Sequence, residues 1–317
     1  MDCIEICAGA GGQALGLEKA GFSPALLVEW DDQACQTLLR NRPAWDVRQL
    51  DVRAFSGNDF AGVALFAGGV PCPPFSVAGK QLGPRDERDL FPEALRLVSE
   101  IRPAAVMLEN VRGLLDPRFA DYRKGLVQQF KKLGYHAELR LLNASEFGVP
   151  QLRPRVVIVA LRNSFVEYFS WPLPRNYKVM VGDCLFDLLS AHGWPGAQAW
   201  RRQAQAIAPT IVGGSKKHGG PDLGPTRAKR AWAQLGIDGM GIADQPPGPL
   251  FQNMPRLTVP MVARLQGFPD DWIFVGKKTS AYRQVGNAFP PPVAFAVAEQ
   301  IHLALAQAAK RSVRVAG

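Results

Sequence analysis

The sequence predicts an α/β fold, a parallel sheet covered by helices on both faces, joined to a smaller irregular second domain. Three observations predict it. Short apolar runs alternate with helical patterns across the first 160 residues, the rhythm of successive βαβ units. Those runs are apolar at nearly every position instead of every second one, as strands buried on both faces require. After Trp171-Pro172 the composition changes: residues 172–255 hold 12 Gly and 10 Pro, and periodicity fades.

The strands are read at residues 4–7, 25–28, 63–66, 105–108 and 156–161, where Ile, Leu, Val, Ala and Phe cluster. Helical patterns occupy 13–20, 32–41, 92–101 and 122–133. Pro92 suits a first helical turn, and Arg102-Pro103 ends that helix, because a proline disfavours helical backbone in the residue before it. A last helical pattern starts at Pro291 and continues to about Lys310. Regular structure on both sides of an irregular insert places 1–171 and 282–317 in one domain. Residues 172–281 then form the small domain and its hinge.

An apolar share of 47% excludes a disordered chain. Lys and Arg total 37 against 28 Asp and Glu. The surplus of nine favours a polyanionic partner, nucleic acid or an anionic membrane surface, and is equally compatible with a basic soluble enzyme. No apolar run approaches the 18 residues of a membrane span, and the start Met-Asp-Cys-Ile-Glu-Ile-Cys has no basic secretory leader. Cys3, Cys7, Cys35, Cys72 and Cys184 are odd in number and contain no Cys-x-x-Cys pair. Neither a disulfide scaffold nor a bound metal is expected. A soluble, reduced, cytoplasmic protein is.

Several stretches carry chemistry. Ala8-Gly9-Ala10-Gly11-Gly12-Gln13-Ala14 follows the first strand and opens a helix, whose free N–H groups and dipole suit an anionic ligand group. Glu29 ends the second strand, at the place where a carboxylate accepts from ribose hydroxyls. Alone, this Gly-x-Gly-x-x-Ala pattern also suits a nicotinamide dehydrogenase. Cys72 lies in Gly68-Gly69-Val70-Pro71-Cys72-Pro73-Pro74-Phe75-Ser76, directly after a strand and between prolines. A rigid turn at a strand end is the setting of a nucleophile, although a free thiol titrates near about 8.5 and needs activation. The glycine-containing basic loop after it, with Lys80, Arg85 and Arg88, reads as a lid. Glu109 ends the next strand, where burial would raise its pKa and make it a proton or hydrogen-bond donor. Arg153 and Arg155 alternate at the start of the last strand, so both guanidinium groups can point the same way.

Taken in order, Gly-x-Gly-Gly, Glu29-Trp30-Asp31, Asp51-Val52, Pro71-Cys72, Glu109-Asn110-Val111, Gln151-x-Arg153-x-Arg155, Arg264-Leu265-Gln266-Gly267-Phe268-Pro269 and Gln284-Val285-Gly286-Asn287-Ala288 resemble the DNA (cytosine-5) methyltransferase family. The resemblance spans nearly the whole chain apart from 172–255. It implies a Rossmann-like S-adenosylmethionine-dependent methyltransferase domain with a smaller irregular target-recognition domain. Cofactor contacts would come from Cys7, Gly9, Gly11, Gly12, Glu29, Trp30, Asp51, Val52 and Asn287. Cys72 would attack C6 of a flipped cytosine, Glu109 would hold the N3/N4 edge, Arg155 would bind O2, and Arg153 would support the site. A stacked base is closed to attack, so the cytosine leaves the duplex first.

By the same resemblance Ser76, Lys80 and Arg88 would lie on the loop that closes over DNA. Lys216, Lys217 and His218, with Arg227, Lys229 and Arg230, are candidates for phosphate or base-edge contacts in the insert. Implied too are the product S-adenosylhomocysteine, double-stranded DNA as partner, a monomer in bacterial cytoplasm and a possible cognate restriction endonuclease. Three departures from the pattern stand out: Cys7 replaces an aromatic residue, Glu5 an aspartate, and Pro73 a glutamine. Alternatives are an RNA cytosine-5 methyltransferase and a non-catalytic DNA-binding regulator. The intact Cys72, Glu109 and Arg155 argue against the latter.

Overall fold

Seven strands form one sheet in the order β3-β2-β1-β4-β5-β7-β6. The computed structural model describes residues 1–70, 89–214 and 220–316, with side chains to residue 311. The strands are β1 (Asp2–Ile6), β2 (Ser23–Glu29), β3 (Val47–Gln49), β4 (Leu65–Gly69), β5 (Ala105–Val111), β6 (Tyr135–Asn143) and β7 (Pro154–Arg162). The helices are α1 (Gly12–Lys19), α2 (Asp32–Asn41), α3 (Phe91–Ile101), α4 (Ala120–Lys132), α5 (Asn163–Val166), α6 (Val181–Ser190), α7 (Ala197–Gln203), α8 (Thr226–Gln234), α9 (Val259–Leu265), α10 (Lys278–Asn287) and α11 (Pro291–Ala316). Local chemistry sets several ends. Asp31 caps α2 by accepting from the N–H groups of Gln33 and Ala34, and Pro92 lies in the first turn of α3. Arg102 closes α3 in a left-handed conformation, and Pro103 follows it.

The sheet is mixed, which corrects the expectation of an all-parallel one. β3, β2, β1, β4 and β5 run parallel, whereas β7 runs antiparallel to both β5 and β6. The connection 144–153 contains no crossover helix, and without one it can join only antiparallel neighbours. One consequence matters for function. The start of β7 lies at the edge where the parallel strands end, with Arg155 opposite Val111.

Apolar side chains of the sheet divide between its faces. Ile4, Ile6, Phe66, Val106 and Ile158 pack with α3 and α4, whereas Cys3, Leu65, Met107 and Val159 pack with α11. As expected, the C-terminal helix returns to the first part of the chain. A Cβ at Gly16 of α1 would lie 2.5 Å from the Cβ of Ala294 in α11, so only glycine permits this approach. Val181, Leu185, Trp200, Trp232 and Leu257 join one cluster with Leu15, Leu38 and Trp45 from the α1–α2 side of the sheet. The strand order reverses between β1 and β4, which is where α/β sheets of this kind open a ligand crevice.

Candidate active site

On one side of the crevice, β1 turns sharply into α1. Cys7, Gly9 and Gly11 all take positive φ, at 51°, 55° and 87°. The glycines have separate reasons. A Cβ at Gly9 would meet nothing within 4 Å, so the backbone there is open to a ligand. At Gly11 it would lie 2.8 Å from both Leu38 and Trp272, and at Gly12 it would lie 2.2 Å from the Phe289 carbonyl. Gly11 and Gly12 are thus demanded by packing.

Glu29 ties β2 to this turn. Its carboxylate accepts from the N–H of Gly9 at 2.7 Å and from those of Trp30 and Asp31 at 2.8 Å. A carboxylate has about four acceptor positions, so most are already engaged by backbone. Trp30 is 69% exposed, a free aromatic face beside the turn. Asp51 caps the short turn 52–54 through the Arg53 N–H and pairs with the Arg53 guanidinium at 3.0 Å. Val52 is buried among Ile4, Val28 and Phe66, so its side chain faces the core and not a ligand. Cys7 packs against the same cluster, and burial pushes its thiol above the ordinary range. Asn287, at the end of α10, donates to the Gly214 carbonyl at 3.2 Å.

On the other side lies the pair the antiparallel β7 brings together. Arg155 Nε meets Glu109 Oε1 at 2.7 Å, both nearly buried. Burial raises the Glu109 carboxyl, while Arg155 and then Arg153 pull it back. Gly69, paired with Glu109 across β4–β5, leads into the segment carrying Cys72. Asn110 pins the root of that segment: its fully buried amide donates to the Val70 carbonyl at 3.2 Å. In the sequence Asn110 carries no role of its own beside Glu109. An amide after a strand-end glutamate was the available signal.

Arg153 does not point with Arg155. Its guanidinium turns inward and donates to the carbonyls of Ile211, Gly286 and Ala288 at 2.7, 2.8 and 2.9 Å. Gln151 and Gln266 complete this buried hub. Gln151 donates to Gln266 Oε1 at 2.6 Å and accepts from the Ile211 N–H, and Gln266 donates to the Val285 carbonyl. The hub joins the lead into β7, the 208–211 segment, the end of α9 and the α10–α11 junction.

Arg227 and Arg230 are exposed on α8. Lys229 differs: its ammonium is held by Asp222 at 2.8 Å. Cys72, Pro73, Ser76, Lys80, Arg85, Arg88, Lys216, Lys217 and His218 lie outside the described residues. Among the described residues, no three or more His, Cys, Asp or Glu side chains gather as a metal site, and no helix is long and apolar enough to cross a membrane.

An open glycine turn, a strand-end carboxylate and a buried Glu–Arg pair lie along one edge of a Rossmann-like α/β sheet, the edge where such sheets take their ligands. The comparisons carry this further. The model of the C-5 cytosine-specific DNA methylase family matches residues 1–303. Type II methyltransferase M.NaeI of Lentzea aerocolonigenes is 59% identical over 311 residues, covering 96% of this chain and 75% of that protein. Type II methyltransferase M.NgoMIV of Neisseria gonorrhoeae is 56% identical over 306 residues, covering 95% and 97%. Among solved structures, a prophage-encoded Escherichia coli protein assigned as a DNA modification methyltransferase superposes with a TM-score of 0.68 at 21% identity, covering 96% of this chain and 99% of that one. The chain belongs to the C-5 cytosine-specific DNA methylase family and is a DNA (cytosine-5) methyltransferase.

Proposed function

We propose that this enzyme methylates C5 of one cytosine within a specific duplex DNA site, using S-adenosylmethionine, as the modification half of a restriction–modification pair. The observation that carries the chemistry is the Glu109–Arg155 pair, set where the parallel strands end and beside the root of the Cys72 segment. Two features support the cofactor: the open backbone at Gly9 and the exposed indole of Trp30. Gly9 would admit it closely, Glu29 would bind the ribose with its remaining acceptor capacity, and Trp30 would stack on the adenine. Asp51 and the Val52 backbone would border the adenine, with Cys7 beneath and Asn287 near the methionine end. When bound, S-adenosylmethionine supplies an electrophilic methyl group and leaves as S-adenosylhomocysteine.

The protein's own groups do the rest. Base flipping brings the cytosine face to Cys72, whose thiolate adds to C6 and makes C5 nucleophilic. Glu109, raised by burial, donates toward N3 and accepts from the N4 amino group. Arg155 fixes Glu109 and presents its remaining N–H donors to O2. After C5 is methylated, loss of its proton expels Cys72. Arg153 acts at a distance, holding the start of β7 against the α10–α11 junction.

Residues 172–281 form the target-recognition domain in this reading, with 1–171 and 282–317 as the catalytic domain. Arg227, Arg230, Lys216 and Lys217 contact DNA there, and Ser76, Lys80 and Arg88 do so from the segment after Cys72. The enzyme acts as a monomer in bacterial cytoplasm, and a cognate endonuclease cuts the same site. The test is tritiated methyl transfer to plasmid DNA, followed by bisulfite sequencing. Methylcytosine at one recurring sequence is expected; transfer to transfer RNA alone would overturn the reading.

A further inference from the structure

The chain that closes the recognition region returns across the cofactor turn before it enters α10. Trp272 leads it. Its indole N–H donates to the Ala10 carbonyl at 3.2 Å, in the middle of the turn between Gly9 and Gly11. The same ring fills the space a Cβ at Gly11 would need. Trp272 is itself wedged against Trp45 and Phe268, with the Arg42 guanidinium 5.4 Å above it.

The residues after Trp272 are fastened to α2, which starts just after Glu29-Trp30. Asn41 both donates to the Ile273 carbonyl at 2.7 Å and accepts from its N–H at 2.8 Å. Thr37 accepts from the Val275 N–H at 2.9 Å and donates to Gln284 at 2.7 Å. Ser280 donates to Gln33. Segment 272–284 thus touches the cofactor turn itself and α2, the helix that follows Glu29-Trp30.

We propose that Trp272 is a positioning residue for the cofactor: it holds the Gly9–Gly12 turn in its open shape, and segment 272–284 transmits the placement of the recognition region to that turn. Cys7, at the entry to the turn, takes a positive φ although it is not a glycine, a strained conformation that its surroundings must hold. The indole supports the turn from the segment that closes the recognition region. This rests on the reading that the turn binds S-adenosylmethionine.

Calorimetric titration with S-adenosylhomocysteine and methyl transfer at varied S-adenosylmethionine test it. Trp272→Phe keeps an aromatic wedge but removes the N–H donor. The dissociation constant and the cofactor KM should rise about fivefold, the worth of one hydrogen bond, with kcat at saturation within about twofold of wild type. Asn41→Ala releases Ile273 without touching the turn and should move both constants the same way by about twofold. Tyr135→Phe removes a buried hydrogen bond to the Pro103 carbonyl, away from the turn, and should lower the melting temperature while leaving both constants unchanged. Unchanged constants in Trp272→Phe and Asn41→Ala, or an equal rise in Tyr135→Phe, would overturn the proposal. Wild-type protein that binds no S-adenosylhomocysteine would instead overturn the cofactor reading on which it rests.

Discussion

Replacing Arg153 by methionine removes the charged centre of the buried hub while keeping most of its volume. The Ile211 and Gly286 carbonyls lose donors at 2.7 and 2.8 Å, whereas the Ala288 carbonyl keeps Gln266 Nε2 at 3.3 Å. A buried carbonyl stripped of its donor costs about 1–3 kcal/mol, so two cost about 2–6. Freedom from burying a charge offsets part of this, leaving a net loss of about 2–4 kcal/mol. At about 1.5 °C per kcal/mol for a chain of this size, Arg153→Met should melt about 3–6 °C below wild type. Arg153 also holds the Glu109 pKa down, so the fall in transfer rate with rising pH should move to higher pH. Thermal unfolding by circular dichroism and single-turnover pH profiles read the two effects. A melting temperature within about 1 °C of wild type would refute the assignment of Arg153 as the hub's support.

Glu109→Gln should slow single-turnover methyl transfer by about 100-fold or more, with S-adenosylhomocysteine affinity within twofold by calorimetry. Because burial raises Glu109 and its protonated form is the donor, wild-type transfer should fall as pH rises through that raised pKa. Glu5 is buried and lies well above its ordinary 4.5 through burial and then Glu29, and its Oε2 has no hydrogen-bond partner among the described residues. A raised carboxyl favours the fold below its unfolded pKa and loses that contribution as pH rises, so Glu5→Gln should gain stability over wild type progressively above about pH 4.5. Denaturant midpoints across pH measure this. Arg227→Ala with Arg230→Ala should lower the slope of log affinity against log salt by about 2 in filter binding, and an unchanged slope would remove them from the DNA contact.

The apolar runs buried on both faces are readable because they need no long-range partner to be recognised, and the helical pattern at 32–41 coincides with α2. β3, three residues long with two of them exposed, shows in the sequence only through the Asp51-Val52 motif that follows it, and β6 is obscured because its exposed edge positions include Glu138 and Arg140. The direction of β7 is written in no local signal, yet it decides the site: in a parallel strand, Arg155 would start at the far edge from Glu109. Spacing alone could not separate Arg155, which meets Glu109, from Arg153, which turns into the hub two residues earlier. Nor could composition reveal that Lys229 is neutralised by Asp222 while Arg227 and Arg230 are exposed. Those distinctions depend on residues brought close only by the fold.

The proposed reaction turns on covalent attack by Cys72 on a flipped cytosine that Glu109 and Arg155 hold. Its most direct test uses duplex DNA carrying 5-fluorocytosine at the methylated position, mixed with enzyme and S-adenosylmethionine and resolved under denaturing conditions. Fluorine cannot leave as the C5 proton does, so wild-type protein should remain bonded to the DNA, with the adduct on the Cys72 peptide by mass spectrometry. Cys72→Ala should bind DNA without forming it. Methyl transfer by Cys72→Ala, or an adduct mapped to another residue, would contradict the account.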